Sequence, residues 1–196
     1  MFISKFALEI KHFKLMNDKE LSVKLRTDAR RIGLCDKWYN DWKDETDKQA
    51  LIDKFKRGVD FCIKHRWPAK QFIKHHFPQD ILRENGILVD DTRSYPVRDP
   101  ETRRQIFIRD YVLIGQSSIT VRYMFAPHMC NIWALDDSKV TVKATRGAFI
   151  LIHLFDNSTA DVTTDLGGNV TVIRHSEATS VKRNGCVTIK EEFDYI

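Results

Sequence analysis

The sequence contains no apolar run near the roughly 20 residues that a helix needs to cross a bilayer, so a helical membrane span is not expected. Its first residues, Met1-Phe2-Ile3-Ser4-Lys5-Phe6, show neither a full apolar stretch nor a small-residue cleavage site, which argues against a secretory leader. Paired cysteines are missing as well. Cys35, Cys62, Cys130 and Cys186 stand far apart, which suits a reducing compartment such as the cytoplasm, and isolated cysteines of this kind are expected as buried thiols.

The motifs of common catalytic chemistry are also lacking. His128, His153 and His175 have no companion nucleophile, paired carboxylate or phosphate-cradling glycine loop, and Gly167-Gly168-Asn169 reads as a turn. Cys62 and His65 are three residues apart, with His75-His76 ten residues on, but a structural zinc site wants four ligands including a tight pair on a turn. The sequence thus implies no metal, no cofactor and no recognisable enzyme.

What is present is a repeat. Val112 and Ile114, Ile132 and Ala134, Ile152 and Leu154, and Val172 and Arg174 recur every twenty residues. A second series, Ile119 and Val121, Val140 and Val142, Ala160 and Val162, recurs at twenty-one and then twenty, each pair following a polar turn. Two short strands per twenty residues, with turns at fixed phase, predict a small β-solenoid over residues 111–181.

Side chains alternate across a strand, so one register of the first series must face inward. The aliphatic set Val112, Ile114, Cys130, Ile132, Ala134, Ile150, Ile152, Leu154, Val170 and Val172 is assigned inward, with Arg174 marking a fraying end. The opposite register is apolar too: Leu113, Trp133, His153 and Ile173 form one ladder, Leu135, Phe155 and His175 another. A face of that kind needs a cover, either the protein's own helices or a partner. Trp133, Leu135, His153, Phe155 and Ile173 are therefore the candidate partner-binding residues. The second series carries a polar exterior of Thr120, Arg122, Thr141, Lys143, Asp161 and Thr163, and residues 185–189 break the spacing and are expected to cap the last coil.

The first half reads as helical. A helix is expected over residues 1–16; Asn17 and Glu20 have capping-box spacing before a helix reaching Gly33; Thr46 and Gln49 open another that ends before Pro68. Trp38 and Trp42 are one turn apart, which more often anchors a core than a ligand. Residues 87–105 read as an extended linker or a first edge segment. The whole is α+β: a helical domain over 1–90, a linker over 91–105, and a β-solenoid over 106–196.

The formal charge of +5 lies wholly in the first ninety residues, with 19 Lys and Arg against 14 Asp and Glu, while the rest is balanced at 13 each. Lys54, Lys56, Arg57, Lys64, Arg66, Lys70 and Lys74, interleaved with Trp67, Phe72, His75 and His76, form the alternative site, a surface for nucleic-acid phosphates and bases. Their simpler reading is the solvated face of two amphipathic helices. Residues 51–67 (LIDKFKRGVDFCIKHRW), with Trp38 and Trp42 before them and short valine-rich repeats after, resemble small proteins of phages and mobile elements. That resemblance implies a phage or mobile-element protein, cytoplasmic or part of a virion. The expected function is a non-enzymatic interaction or assembly module that docks a protein partner or a second copy.

Overall fold

The structure, a computed structural model, describes residues 16–42, 47–95, 108–123, 129–145, 147–165 and 167–195. The helix expected over residues 1–16 lies outside them, save its last residue. Helix α1 (Asp18–Arg31) starts on a reciprocal capping box between Asn17 and Glu20. It ends in a Schellman motif, with Gly33 at φ +108 and the Leu34 N–H reaching the Ala29 carbonyl at 2.9 Å. Leu21, Leu25 and Ala29 face the core as the spacing predicts. Short helix α2 (Asp36–Asp41) presents Trp38 and Tyr39 to the same core, and Trp42 follows it.

The next helix departs from expectation in two ways. Thr46 lies outside the described residues, and Asp47 is the residue that caps α3 (Lys48–Arg57), accepting from the Ala50 N–H at 2.7 Å. The single helix expected to continue toward Trp67 is divided at Gly58 into α3 and α4 (Val59–Lys64). Glycine is the weakest non-proline helix former, and here it also lies against the Trp38 ring. Helices α5 (Lys70–His76) and α6 (Gln79–Glu84) follow, the latter closed by Gly86. Gly86 has φ +74, and a Cβ there would stand 2.6 Å from the Asp110 carbonyl oxygen, so only glycine allows the chain to turn and pack beside the first coil.

The chain then winds into a β-solenoid of about four turns with roughly 20 residues per coil. Strands β1 (Ile87–Val89), β3 (Asp110–Ile114), β5 (Met129–Ala134), β7 (Phe149–Leu154), β9 (Asn169–Arg174) and β11 (Val187–Glu191) form one parallel sheet, here the covered sheet. Strands β2 (Thr92–Tyr95), β4 (Ser118–Tyr123), β6 (Lys139–Ala144), β8 (Thr159–Thr164) and β10 (Ser180–Asn184) form the other, the open sheet. Parallel pairing begins at Ile87, so the described part of the expected linker or edge segment is the first, edge coil. Residues 185–189, expected as a cap, instead carry β11, which extends the covered sheet. The outer edges β10 and β11 carry Lys182, Arg183, Lys190 and Glu191, charges that discourage further strand addition.

The inward register holds from β5 onward: Cys130, Ile132, Ala134, Ile150, Ile152, Leu154, Val170 and Val172 fill the solenoid with Val140, Val142, Ala160 and Val162 of the open sheet. In β3 it is corrected by one residue. Tyr111 and Leu113 point inward, while Val112 and Ile114 face the helices. Tyr111 pairs with Ile132 and Ile119 with Val140, each twenty-one residues apart, so the first full coil has one extra residue and the alternation inverts. Arg174 does not fray. Its guanidinium donates to Thr179 Oγ1 at 3.0 Å, to the Glu177 and Thr179 carbonyls and to Glu191, holding the last corner together.

Cys62 and Cys130 are buried, but Cys35 and Cys186 are exposed. Cys35 sits at the N-cap of α2 and Cys186 at the last corner, positions where no neighbouring layer closes over a side chain. Replacing the inward Leu113 by alanine is expected to lower stability by about 2–5 kcal/mol, while Lys143→Ala on the solvated exterior changes it by less than ~0.5 kcal/mol. Urea unfolding of both variants checks the corrected register; equal effects would refute it.

Candidate functional site

The covered sheet is apolar on both faces, and its outer face divides into an enclosed and an open part. At the C-terminal ends of the strands, Leu135 is 6% and Phe155 0% exposed. Both belong to the same buried cluster as Leu21, Trp42, Leu51, Ile63 and Ile73 of the helices, together with Ile87, Val89 and Val112. The cover over these two residues is thus the protein's own helical layer. Ile173 is buried at 8%, while Trp133 and His153 lie half-buried at the layer's margin.

The ladder is a stack of rings. Trp133 lies parallel to His153 at 5.8 Å, His153 to His175 at 5.3 Å, and Phe155 to His175 at 4.4 Å. Its protons can be assigned. The Glu192 carbonyl only accepts, so His175 Nδ1 donates to it at 2.9 Å and His175 Nε2 is left bare. His153 Nδ1 then donates to that nitrogen at 3.0 Å. Burial, and next the neighbouring His175, push His153 down to about 4, while Asp60 opposes the change. Burial also lowers His175, partly offset by Glu192. Both rings are neutral at pH 7, so the stack is a packing element held by one chain of hydrogen bonds.

The corners between the two sheets carry a second ladder, of acids. Asp90, Asp136 and Asp156 all adopt positive φ, a conformation aspartate tolerates better than most residues. Each carboxylate reaches an N–H of a neighbouring coil: Asp90 accepts from Gln116 at 3.0 Å, Asp136 from Gly115 at 2.7 Å, and Asp156 from Asp136 at 2.9 Å. At 115 the coil uses glycine, since a Cβ there would stand 2.1 Å from Asp90 Oδ1. Beneath these acids Ser117, Ser138 and Ser158 are buried, and Ser138 donates to the Gly115 carbonyl at 3.1 Å.

The expected cationic surface is largely committed to these acids and to helix ends. Arg66 grips Asp156 with both terminal nitrogens and lies 3.6 Å from Asp136. Lys70 and Lys74 each approach Asp90 at 3.1 Å, and Arg83 pairs in bidentate fashion with Asp91. Lys54 is buried, its amine 3.0 Å from both the Asp41 carboxylate and the Asp41 carbonyl; Arg57 lies 3.9 Å from the same carboxylate, and Lys56 donates to the Asn85 carbonyl. Lys64 is exposed. Burial alone would raise Asp90, but the Gln116 N–H and the two lysines bring it down to about 2. Asp156 behaves alike, with Arg66 overcoming the effect of burial.

The residues that sequence reasoning missed are Met129 and Phe149, exposed by 50% and 54%. They pair directly across β5 and β7, on the same outer face as Trp133, His153 and Leu135, with half-buried Asn131 and Leu151 between. Six residues of strand, about 20 Å at ~3.3 Å per residue, separate Phe149 from Phe155. The helical layer therefore covers one end of the face and leaves a strip of large apolar groups at the other. The signal was available, since Met129 and Phe149 obey the same twenty-residue spacing as the ladder. His128 lies outside the described residues, and among those described no three His, Cys, Asp or Glu side chains gather as a metal would require.

Comparison with protein-family profiles, with curated proteins and with solved structures yields no match for this chain.

The neutral histidine stack makes stability pH-dependent. His153 stays unprotonated in the fold until about pH 4, whereas in the unfolded chain it takes a proton near pH 6.5. Its contribution is complete above pH 6.5 and is lost as pH falls from there to about 4. Thermal melts between pH 7 and 5, above the range where the aspartates titrate, are expected to show a falling midpoint. The fall should be shallower in His153→Gln; an unchanged slope would rule out His153 as its source.

Proposed function

We propose that this protein is a non-enzymatic interaction module, and that it docks a protein partner on the strip of the covered sheet left open by its own helices. The observation that carries this reading is the pair Met129 and Phe149, both half-exposed and side by side on a rigid sheet. A row of large apolar groups continuous with a buried face is the usual mark of an interface. Trp133 and His153 line the inner margin of the strip, so they remain candidate contacts, while Leu135, Phe155 and Ile173 of the same face are buried. A rigid, β-stacked platform also needs little ordering on binding, which favours docking without a conformational step.

The setting we infer is a reducing one, supported by four unpaired thiols of which Cys35 and Cys186 are exposed. The resemblance of residues 51–67 to proteins of phages and mobile elements supports a role in assembling such an element. The partner can be a second copy of the chain or another protein, and one experiment covers both. A photo-crosslinking amino acid placed at Phe149 is expected to give a discrete adduct in the producing cell, while the same group at Thr163, on the solvated exterior of the open sheet, gives none. Phe149→Lys and Met129→Lys, introduced with the crosslinker at Asn131, should abolish the adduct while changing stability by less than ~0.5 kcal/mol. Equal labelling from positions 149 and 163 would refute the docking strip.

A further inference from the structure

The helical layer holds a cavity of about 340 Å³, apart from the sheet strip. It opens to solvent on one side, and its walls among the described residues include Trp38, Trp42, Trp67, Phe55, Phe61 and Cys62, together with Leu34 and Ile73. Trp42, Cys62, Leu34 and Ile73 are themselves buried, and the rings are fixed by edge contacts, Trp42 on Trp67 at 6.3 Å and Phe61 on Trp67 at 6.2 Å. Such walls offer water few hydrogen-bond partners. The space therefore favours an apolar occupant.

Size, charge and polarity narrow the class. An engineered cavity of about 150 Å³ takes one benzene, so a space of about 340 Å³ accommodates two fused rings. The charged groups on the walls are Lys54, Arg57 and Asp60. Lys54 and Arg57 share the Asp41 carboxylate, at 3.0 and 3.9 Å, and Asp60 has interactions of its own, so each of the three charged groups is already engaged within the protein. The Cys62 thiol is kept protonated by burial, which pushes it up to about 12. Trp42 Nε1 offers a ligand no contact, since it is buried away from any accessible space.

We propose that the Trp38, Trp42, Trp67 and Phe61 cavity binds a small neutral, apolar ligand of two-ring size. This site is separate from the docking strip and does not depend on it. Gly58 lies on the same wall, where an added Cβ would meet the Trp38 ring at an ordinary contact distance of 4.0 Å. Cys62 lines the same space from α4, which makes it the position to fill.

The test uses two isosteric probes, naphthalene and quinoline, titrated into the full-length protein at pH 7.5, where quinoline is neutral, and followed by tryptophan fluorescence and calorimetry. Both are expected to bind saturably at one site. Cys62→Phe should abolish binding of both, and Ile73→Phe serves if the first variant loses its native circular dichroism. No saturable binding of either probe, or undiminished binding to a filled variant with native circular dichroism, would overturn the site.

Discussion

Everything in this protein follows from one sheet being apolar on both sides. In β5 and β7 the inward set, Cys130, Ile132, Ala134, Ile150, Ile152 and Leu154, and the outward set, Trp133, Leu135, Leu151 and Phe155, occupy alternate positions of the same strands. Stacking coils buries the first set and does nothing for the second. Parallel sheets ordinarily meet this need with a layer of helices, and here the helices come from the first half of the chain. The two halves share one buried cluster, with Leu51, Ile63 and Ile73 meeting Val112, Leu135 and Phe155. The helical half and the solenoid are thus two layers of one packing arrangement.

Electrostatics fixes where the layer sits. Hydrophobic contact is non-directional and would let the helices slide along the face. The acids at the corners do not. Arg66 on Asp156, Lys70 and Lys74 on Asp90, and Arg83 on Asp91 tie helices to the edge where strands end. Each partly exposed pair is worth little alone, but they share one line and act in one direction. Several cations of the first ninety residues are thus paired with acids at the corners of the solenoid.

The repeat, the parallel solenoid and the polar exterior of the open sheet were legible because twenty-residue spacing and period-two alternation are properties of single segments. The Asn17–Glu20 box was legible for the same reason. Less visible were features set by contact between segments. Val112 and Ile114 look inward by composition, since valine and isoleucine suit either side of a doubly covered strand; only the twenty-one-residue step from Ile119 to Val140 betrays the inversion. The break at Gly58 was readable from glycine's poor helix propensity, but the uninterrupted apolar spacing around it outweighed that signal. Nothing local marks Lys70 or Arg66 as a tie to an acid some twenty or ninety residues away. The candidate strip fell between these cases: its spacing was in the sequence, but its exposure depends on how far the helices reach.

That reach makes the helical layer a ruler. A solenoid can lengthen by duplicating a coil, since each strand accepts the next in register. Here every inserted coil would add another outward apolar row, while the helices that cover such rows have a fixed length. Their described cluster runs from Ile87 in β1 to Phe155 after β7, and on the outside of the coils beyond it Ile173 stands among the more polar Thr171, His175 and Lys190. The number of apolar coils is therefore matched to the size of the cover, and the two halves must change length together.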